Sequence, residues 1–365
     1  MEWQNGILGF IPEKDWLEVP FNPERPNSPI ANLIANEKTS NIIASYQDIA
    51  AEYLIPSMAQ FHAYDTEAKT SVRYPIDTYN VEKGLIKAKL NQSERFRQYM
   101  QSGVIHESEQ YDYVMKDGIR LGEEVITRTV VANYELLATG QVTIKENNLD
   151  ITVDYGVKST QTNFTLDLST SADVIAQIEN IVETAKKSGV TLTGMLLATS
   201  TLTKMRRNST LQTAIKGTNG VGTTLRKTEL ESFFSDEFSI NNIITTDELY
   251  NVNKGIGTDG RPIVTPVRYY PEDKVTFFAR TPGGKILTGL WGDPPEVTNK
   301  LMKTTSASGV SPYVYISQYT ENDPAVLWTK ASALYIPVLL NPSSLYIATV
   351  TEGTVTDGAV TEDGA

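Results

Sequence analysis

The hydrophobic pattern in the middle of the chain predicts one long helix. Between residues 109 and 146, apolar or small residues recur at spacings of three and four, which is the period of one helix face. One such row contains Val114, Gly118, Leu121, Val125, Ala132 and Leu136. A helix of about thirty residues would be well above the mean length in globular proteins.

Extended segments are predicted on both sides of the chain's centre. The stretch "VTIKENNLDITVDYG" predicts a strand, a turn at Asn147 and Asn148, and a second strand, which together form a hairpin. Near the end, Asp323–Pro342 predicts two mostly apolar strands that are separated by a polar break at Thr329 and Lys330.

The pattern between these two segments predicts both helices and strands. Residues 171–189 have the pattern of an amphipathic helix that ends at Gly189. "TGMLLATS" predicts a buried strand, and "TLTKMRRNSTLQTAIKG" predicts another helix. Strands such as "DKVTFFAR" and "GKILTGLW" follow, so the expected fold class is α+β.

The first hundred residues predict extended structure that needs another surface to cover it. Five prolines fall between residues 12 and 29, which favours an extended arm, yet this arm carries the apolar side chains of Trp3, Phe10 and Trp16. Residues 41–63 begin with a helical pattern, and residues 64–100 alternate like a two-stranded ribbon. Because an isolated ribbon is only marginally stable, we expect it to lie on something else.

Composition excludes several classes of function. The 365 residues carry a net charge of −12, which disfavours broad binding to nucleic acid or to an anionic membrane. The chain has no cysteine, so disulfides and thiolate metal sites are excluded. We expect no membrane-spanning segment and no signal peptide, and we expect the acidic tail, residues 351–365, to be mobile.

No set of residues predicts catalysis or a bound cofactor or metal. Gly217–Thr224, "GTNGVGTT", has the glycine spacing of a phosphate-binding loop, but Thr223 stands where the lysine belongs and a helix is predicted before it. The two histidines, His62 and His106, have no neighbouring nucleophile or ligand pattern, and we interpret them as structural or surface residues.

Charge is distributed unevenly between the predicted ribbon and the rest of the chain. Residues 65–100 contain seven basic and five acidic residues, a local charge of 7 − 5 = +2 on a chain that is acidic overall. This favours contacts between subunits, although the charges could instead keep an edge strand soluble. The candidate contact residues are Arg73, Lys83, Lys87 and Arg95, together with the arm residues Trp3, Phe10 and Trp16.

The ordered set of elements resembles a known family. "GGKILTGLWGDPPEV" followed by "YTENDPAVLWTKASALYIPVLLNPSSLYIATV", the long helix with its hairpin, and "GMLLATSTLTKMR" occur in the order found in the lambda-type major capsid proteins of tailed phages (capsid protein E). The resemblance covers roughly residues 30–350 and implies the Hong Kong 97 capsid fold.

The resemblance also implies a division of the chain. Residues 1–63 would be an N-arm with a short helix and residues 64–105 an extended loop over a neighbouring subunit. Residues 106–170 would begin a peripheral domain around the spine helix, residues 109–146, and residues 323–350 would complete it. Residues 171–322 would be mostly an axial domain.

The implied function is that of a non-enzymatic shell subunit. It would form the hexamers and pentamers of an icosahedral virion around double-stranded DNA, without sequence-specific binding and with no membrane contact. Assembly would take place in the host cytoplasm with a scaffolding protein, a portal protein and, in some shells, a decoration protein. The alternatives are an encapsulin-type compartment and, from another class, a nucleotide-binding enzyme that uses residues 217–224.

Two glycines inside the predicted long helix, Gly118 and Gly122, require an explanation. Each costs about 1 kcal/mol of helix propensity relative to alanine. Either a neighbouring element packs too closely there for a side chain, or the pair is the flexible point of the spine helix, since glycine pairs are places where helices bend.

Overall fold

The computed structural model describes residues 28–48, 77–92, 107–257, 261–281, 283–298, 306–310, 313–322 and 325–351, together with a few isolated positions. Helices and strands are interleaved along the chain, which confirms the predicted α+β class. Two larger sheets and three two-stranded ribbons contain the described strands.

A 33-residue helix, α1 (Glu107–Thr139), is the longest described element. Its apolar row is buried as the periodicity predicted, including Val114, Leu121 and Val125. The predicted end at residue 146 is wrong, because Gly140 has a φ of +75° and ends the helix. Its amide donates to the carbonyl of Leu136 at 2.8 Å, which satisfies a terminal acceptor.

The hairpin after α1 is confirmed. Strands β5 (Gln141–Glu146) and β6 (Leu149–Asp154) pair in antiparallel register. Asn147 and Asn148 join them with φ values of 50° and 65°. Asparagine tolerates this left-handed conformation better than most residues, and the turn it allows matches the twist of the two strands.

The sheet that packs on α1 has six strands. Its order is β1-β13-β16-β15-β14, and β4 pairs with β16 on the opposite side from β13 and β15. The strands are β1 (Ile34–Lys38), β4 (Gly84–Gln92), β13 (Leu287–Gly292), β14 (Ser306–Val310), β15 (Tyr315–Asn322) and β16 (Ala325–Leu339).

The second sheet has its own hydrophobic core. Its order is β7-β17-β12-β8-β9, with strands β7 (Phe164–Asp167), β8 (Gly194–Ala198), β9 (Asn242–Thr246), β12 (Lys274–Phe278) and β17 (Leu345–Thr351). The helices of this region are α2 (Ser159–Thr162), α3 (Val174–Lys187), α4 (Thr199–Arg207), α5 (Ser209–Lys216) and α6 (Lys227–Phe238). Helix α3 begins at an Asp173 cap and stops before Gly189, as predicted.

The other described strands form two ribbons, and the other α-helix is short. Strands β2 (Ile43–Asp48) and β3 (Asp77–Glu82) pair with each other, as do β10 (Leu249–Ile256) and β11 (Pro262–Arg268). The short helix α7 covers Pro295–Thr298.

Two predictions for the first hundred residues are wrong. Residues 43–48 form strand β2 rather than the start of a helix, because pairing with β3 overrides a weak local preference. The predicted ribbon is not a hairpin of its own two strands, since β3 pairs with β2 and β4 pairs with β16.

The segment Asp323–Pro342 contains one long strand instead of two. Strand β16 runs through the expected break because both polar side chains find partners. Gln318 donates to Thr329 Oγ1 at 3.1 Å, and Lys330 donates to Glu296 at 2.8 Å. Satisfied polar groups do not interrupt a buried strand.

The two sheets do not follow the predicted segment borders. Strands β13, β14 and β15, from the predicted axial segment 171–322, lie in the sheet with β16. Strand β17, from the closing segment 323–350, lies in the other sheet beside β7 and β12. Each sheet therefore combines strands from several parts of the chain.

A single hydrogen bond connects α1 to the centre of β16 and provides a stability test. The hydroxyl of buried Tyr335 donates to Asn133 Oδ1 at 2.6 Å. Tyr335→Phe leaves that acceptor buried and unsatisfied, so we expect a loss of about 1–3 kcal/mol in the free energy of unfolding, measured with urea. Tyr250→Phe is the control, because it keeps the ring contact with Tyr269 at 4.9 Å. Equal stability of both variants would contradict this role.

Candidate functional site

Most predicted contact residues lie outside the described part of the chain. They are Trp3, Phe10, Trp16, Arg73 and Arg95. The histidines His62 and His106 also lie outside the described part. Lys83 and Lys87 are described, and they occupy different environments at the start of strand β4.

Lys83 is an internal anchor and not a surface charge. It is 3% exposed, and its ammonium donates to the Thr39 carbonyl at 2.9 Å, the Thr39 hydroxyl at 2.6 Å and the Trp291 carbonyl at 3.0 Å. Burial lowers the pKa of Lys83, and the charge of Asp293 opposes that shift. All three of its N–H donors therefore have partners within the chain, and its contact with another subunit remains a prediction.

Lys87 belongs to a cluster of charges that the sequence did not predict. Lys87 and Lys330 both donate to Glu296 Oε1, at 2.9 Å and 2.8 Å. Glu296 is only 8% exposed. Burial raises the pKa of Glu296, but the hydrogen bonds from Lys330 and Lys87 outweigh it and lower the pKa to about 2. Glu296 therefore stays ionised under physiological conditions.

An apolar groove lies beside the start of β4, and Lys87 is at its edge. It has a volume of about 620 Å³ and is lined by residues 81–87, helix α1, the β5–β6 hairpin and the end of β16. An ion pair crosses its rim, where Arg128 Nε donates to Glu146 Oε1 at 3.0 Å. Its lining is mostly hydrophobic, which is typical of a surface that another molecule covers.

The groove is continued by exposed apolar side chains. Ile42, Leu85, Leu149 and Ile151 line it and are each roughly half exposed. Within the described part of the chain, β4 pairs with β16 and with no second strand, so one edge of β4 can accept another strand. The alternating apolar residues of "LDITVD" are the sequence signal for this surface as well as for the strand.

The β10–β11 ribbon is a second surface with exposed apolar side chains. Leu249, Ile256, Ile263 and Val264 are each about half exposed or more, and both strands are exposed along most of their length. A ribbon of this kind is only marginally stable in isolation.

The glycine pair lies inside α1, as predicted. Gly118 and Gly122 are both helical and both buried. Burial is what the close-packing explanation requires, and the hinge remains a prediction.

The glycine-rich loop has the wrong preceding element for nucleotide binding. Helix α5 ends at Lys216, directly before Gly217, whereas a phosphate-binding loop follows a strand. The Gly222 amide donates to the Gln212 side chain at 2.7 Å, so one loop amide is already used. A helix before the loop is confirmed, but the single helix predicted over "TLTKMRRNSTLQTAIKG" is two helices, because Asn208 is extended and caps the second one.

The described residues contain no group of three or more histidine, cysteine or acidic residues that could hold a metal ion. Within the same residues, no helix has the length and apolar content needed to cross a membrane.

Comparison with known proteins identifies a family. The family model for phage major capsid protein E matches residues 108–350, about two thirds of the chain. A search of curated proteins found no significant match. The part of the predicted resemblance that precedes residue 108 remains an expectation.

Several solved structures align with most of this chain. The capsid of Myoviridae phage XM1 has a TM-score of 0.49 at 8% identity, covering 94% of this chain and 99% of that one. The cyanophage A-1(L) capsid has a TM-score of 0.47 at 11% identity, covering 91% and 93%. A virus-like particle from Pyrococcus furiosus has a TM-score of 0.40 at 12% identity, covering 89% and 93%.

The Glu296 cluster predicts a pH-dependent contribution to stability. Because the folded pKa of about 2 lies below the ordinary value of 4.5, the ionised carboxylate stabilises the fold above about pH 4.5, and this is lost as pH falls toward 2. We expect Glu296→Gln to cost about 2–3 kcal/mol of unfolding free energy at pH 7 and progressively less in acid.

Urea unfolding of both proteins between pH 7 and pH 2 measures this difference. Glu183→Gln is the matched control, because Glu183 forms an exposed pair with Lys187 at 2.8 Å and should have a smaller effect. A difference between wild type and Glu296→Gln that does not change with pH would contradict the assignment.

Proposed function

Because the chain belongs to the phage major capsid protein E family, we propose that it forms the hexamers and pentamers of an icosahedral shell around the double-stranded DNA of a tailed phage. The observation that carries this proposal is the apolar groove beside β4, with its half-exposed rim. A surface of this kind is costly in a monomer and is removed from water when copies associate.

We further propose that the parts outside the described residues cover this groove in a neighbouring copy. Within the arm, residues 1–63, the candidate is the part before residue 28. Within the extended loop, residues 64–105, the candidates are the parts that flank β3 and β4, since those two strands pair within the chain itself. The arm brings Trp3, Phe10 and Trp16, large apolar side chains that match the lining of the groove. A contact between unlike surfaces of two copies propagates around a ring, as the closure of hexamers and pentamers requires.

The division into two bodies is also a proposal. The sheet with α1 would be the peripheral domain, built from residues 106–170 and 323–350 with strands contributed by other segments. The second sheet and its helices would be the axial domain, drawn mainly from residues 171–322. Each has its own hydrophobic core.

The charge of the chain suits a container for DNA. A net charge of −12 repels phosphate, so the wall would enclose the genome without sequence-specific binding. The role is structural and not enzymatic, the location is the virion, and assembly takes place in the host cytoplasm. The partners are a scaffolding protein, a portal protein and, where one is present, a decoration protein. The phage family favours this function over an encapsulin-type compartment.

A substitution in the groove tests assembly directly. Ile151 is 47% exposed, so Ile151→Lys should leave the subunit folded but put an unpaired charge into a buried contact. We expect strong loss of closed particles, measured by sedimentation and negative-stain imaging with a scaffold present.

Val221→Lys is the matched control, since Val221 is 53% exposed and lies in the glycine-rich loop, away from the groove. Normal particle yield from Ile151→Lys would contradict the role of the groove. Lys87 is unsuitable for a charge-reversal test, because Lys87→Glu would place a second carboxylate beside Glu296 and destabilise the subunit itself.

The glycine pair in α1 predicts an effect on shell maturation. If Gly118 and Gly122 are the flexible point, replacing both with alanine should straighten α1 in the precursor shell and favour the expanded form. Electron-microscopy maps of wild-type and mutant precursors measure the bend. A well-folded double mutant with the same bend removes the hinge, and poor expression from steric clash supports close packing instead.

A further inference from the structure

A lysine-lined pocket lies on the face of the six-stranded sheet that is turned away from α1. The Tyr335 side chain of β16 hydrogen-bonds to α1. Because successive side chains of a strand point to opposite faces, Lys330, five residues earlier, points away from α1. Register with β4 places Lys89 beside Lys330, and Lys87 two residues along on the same face. The pocket has a volume of about 350 Å³ and is lined by Lys87, Ala88, Lys89, Tyr319 and Lys330.

The pocket is positive on an acidic protein. Three ammonium groups line it, and Glu296 is the carboxylate that pairs with two of them, giving a local charge of 3 − 1 = +2. Glu321 accepts a hydrogen bond from nearby Trp328 at 2.8 Å and lowers this charge to no less than +1. The whole chain has a charge of −12, so the pocket is a distinct positive site.

The donors of this pocket are only partly used. Each lysine ammonium has three N–H donors. In the described part of the chain, the Lys330 ammonium donates to Glu296 alone, although its side chain is only 12% exposed. The Lys89 ammonium lies 4.2 Å from the centre of the Trp328 ring and pairs with no described carboxylate. A carboxylate placed in the pocket can accept from both lysines.

The pocket suits a ligand that carries anionic acceptors. Its lysines supply N–H donors, and a carboxylate oxygen accepts from them. Glu296 is buried and is not part of the pocket's lining, so it is left to hold Lys87 and Lys330 in place. A segment of protein rich in acidic side chains meets the requirement of the pocket.

The chain itself contains such a peptide. Residues 352–365, beyond the described part, include Glu352, Asp357, Glu362 and Asp363, with several threonines and no basic residue. Fourteen extended residues can span up to about 46 Å. Strand β17, which precedes this segment, belongs to the other sheet, so the segment starts away from the pocket's own strands.

We propose that the pocket formed by Lys87, Lys89, Lys330 and Tyr319 binds the acidic segment 352–365 of a second copy of the chain. This rests on the proposed shell, which places copies side by side. The segment would act as an electrostatic strap between subunits, with its carboxylates on the lysines of the pocket. It gives the acidic tail a function that the family match, ending at residue 350, leaves unassigned.

Zero-length cross-linking of assembled particles tests this pairing. Equal amounts of chain with natural and heavy nitrogen are mixed before assembly, treated with a carbodiimide that joins carboxylates to amines, digested, and analysed by mass spectrometry. We expect peptides that join residues 352–365 to Lys87 or Lys89, with one light and one heavy half. Lys145 and Asp150, 3.7 Å apart in the β5–β6 hairpin, provide the internal control for the reaction.

Two variants sharpen the result. Lys89→Gln removes a pocket charge without disturbing Glu296, because Lys89 is not one of its partners. Changing the four acidic residues of the segment to their amides keeps its size and removes its charge. The first should weaken binding of the segment and so reduce its links to Lys87, and the second should abolish the links made through its four acidic side chains, while the Lys145 link persists in both.

Other outcomes overturn the proposal. Links confined to pairs of the same isotope would place the segment in its own chain, and tail links to other lysines would place it elsewhere. A normal Lys145 link without any tail links would also refute it. Acylation of the lysines in particles with and without DNA gives a further check, and protection of the pocket lysines only when DNA is present would refute the proposal too. Imaging of the same sample separates the two proposals: particles without tail links refute this inference alone, whereas absence of particles refutes the shell as well.

Discussion

The packing of strand β16 between helix α1 and its neighbouring strands is the constraint on which the rest of the structure depends. This fifteen-residue strand pairs with β13 and β15 along one side and with β4 along the other. One of its faces packs on α1, where Ala331 and Ala333 are fully buried and small enough for close approach. Segments from most of the chain therefore depend on a strand that comes near its end.

Local patterns predicted the elements whose causes are local. The helix α1 followed from its apolar period, and the hairpin after it followed from Asn147 and Asn148. Contacts between distant residues were not accessible in this way. The polar pair Thr329 and Lys330 lies within a continuous strand because its partners are supplied by other segments.

The candidate sites likewise depend on contacts between residues that are distant in the sequence. The local charge of residues 65–100 does not show where each charge lies. Lys83 is buried, and its partners Thr39 and Trp291 are 44 and 208 residues away in the sequence. Glu296 gave no sequence signal, because a single acid in "WGDPPEV" becomes unusual only when β4 and β16 bring two lysines to it. Partners that are distant in sequence thus decided what each charge does.

Strand β4 is where the two proposed contact surfaces meet. Its beginning lines the apolar groove with the hairpin and α1, and its later residues carry the lysines of the positive pocket. Apolar contacts supply most of the free energy of association, whereas charges add specificity and orientation. One edge strand that presents both is well suited to fix how a neighbouring copy is placed.

An electron-microscopy reconstruction of the assembled protein is the most direct test of this account. It should show an icosahedral shell in which the groove between β4 and the β5–β6 hairpin is filled by density traceable to a neighbouring subunit. A protein that stays monomeric at high concentration with its scaffold, or a shell in which that groove is open to solvent, would contradict the central claim.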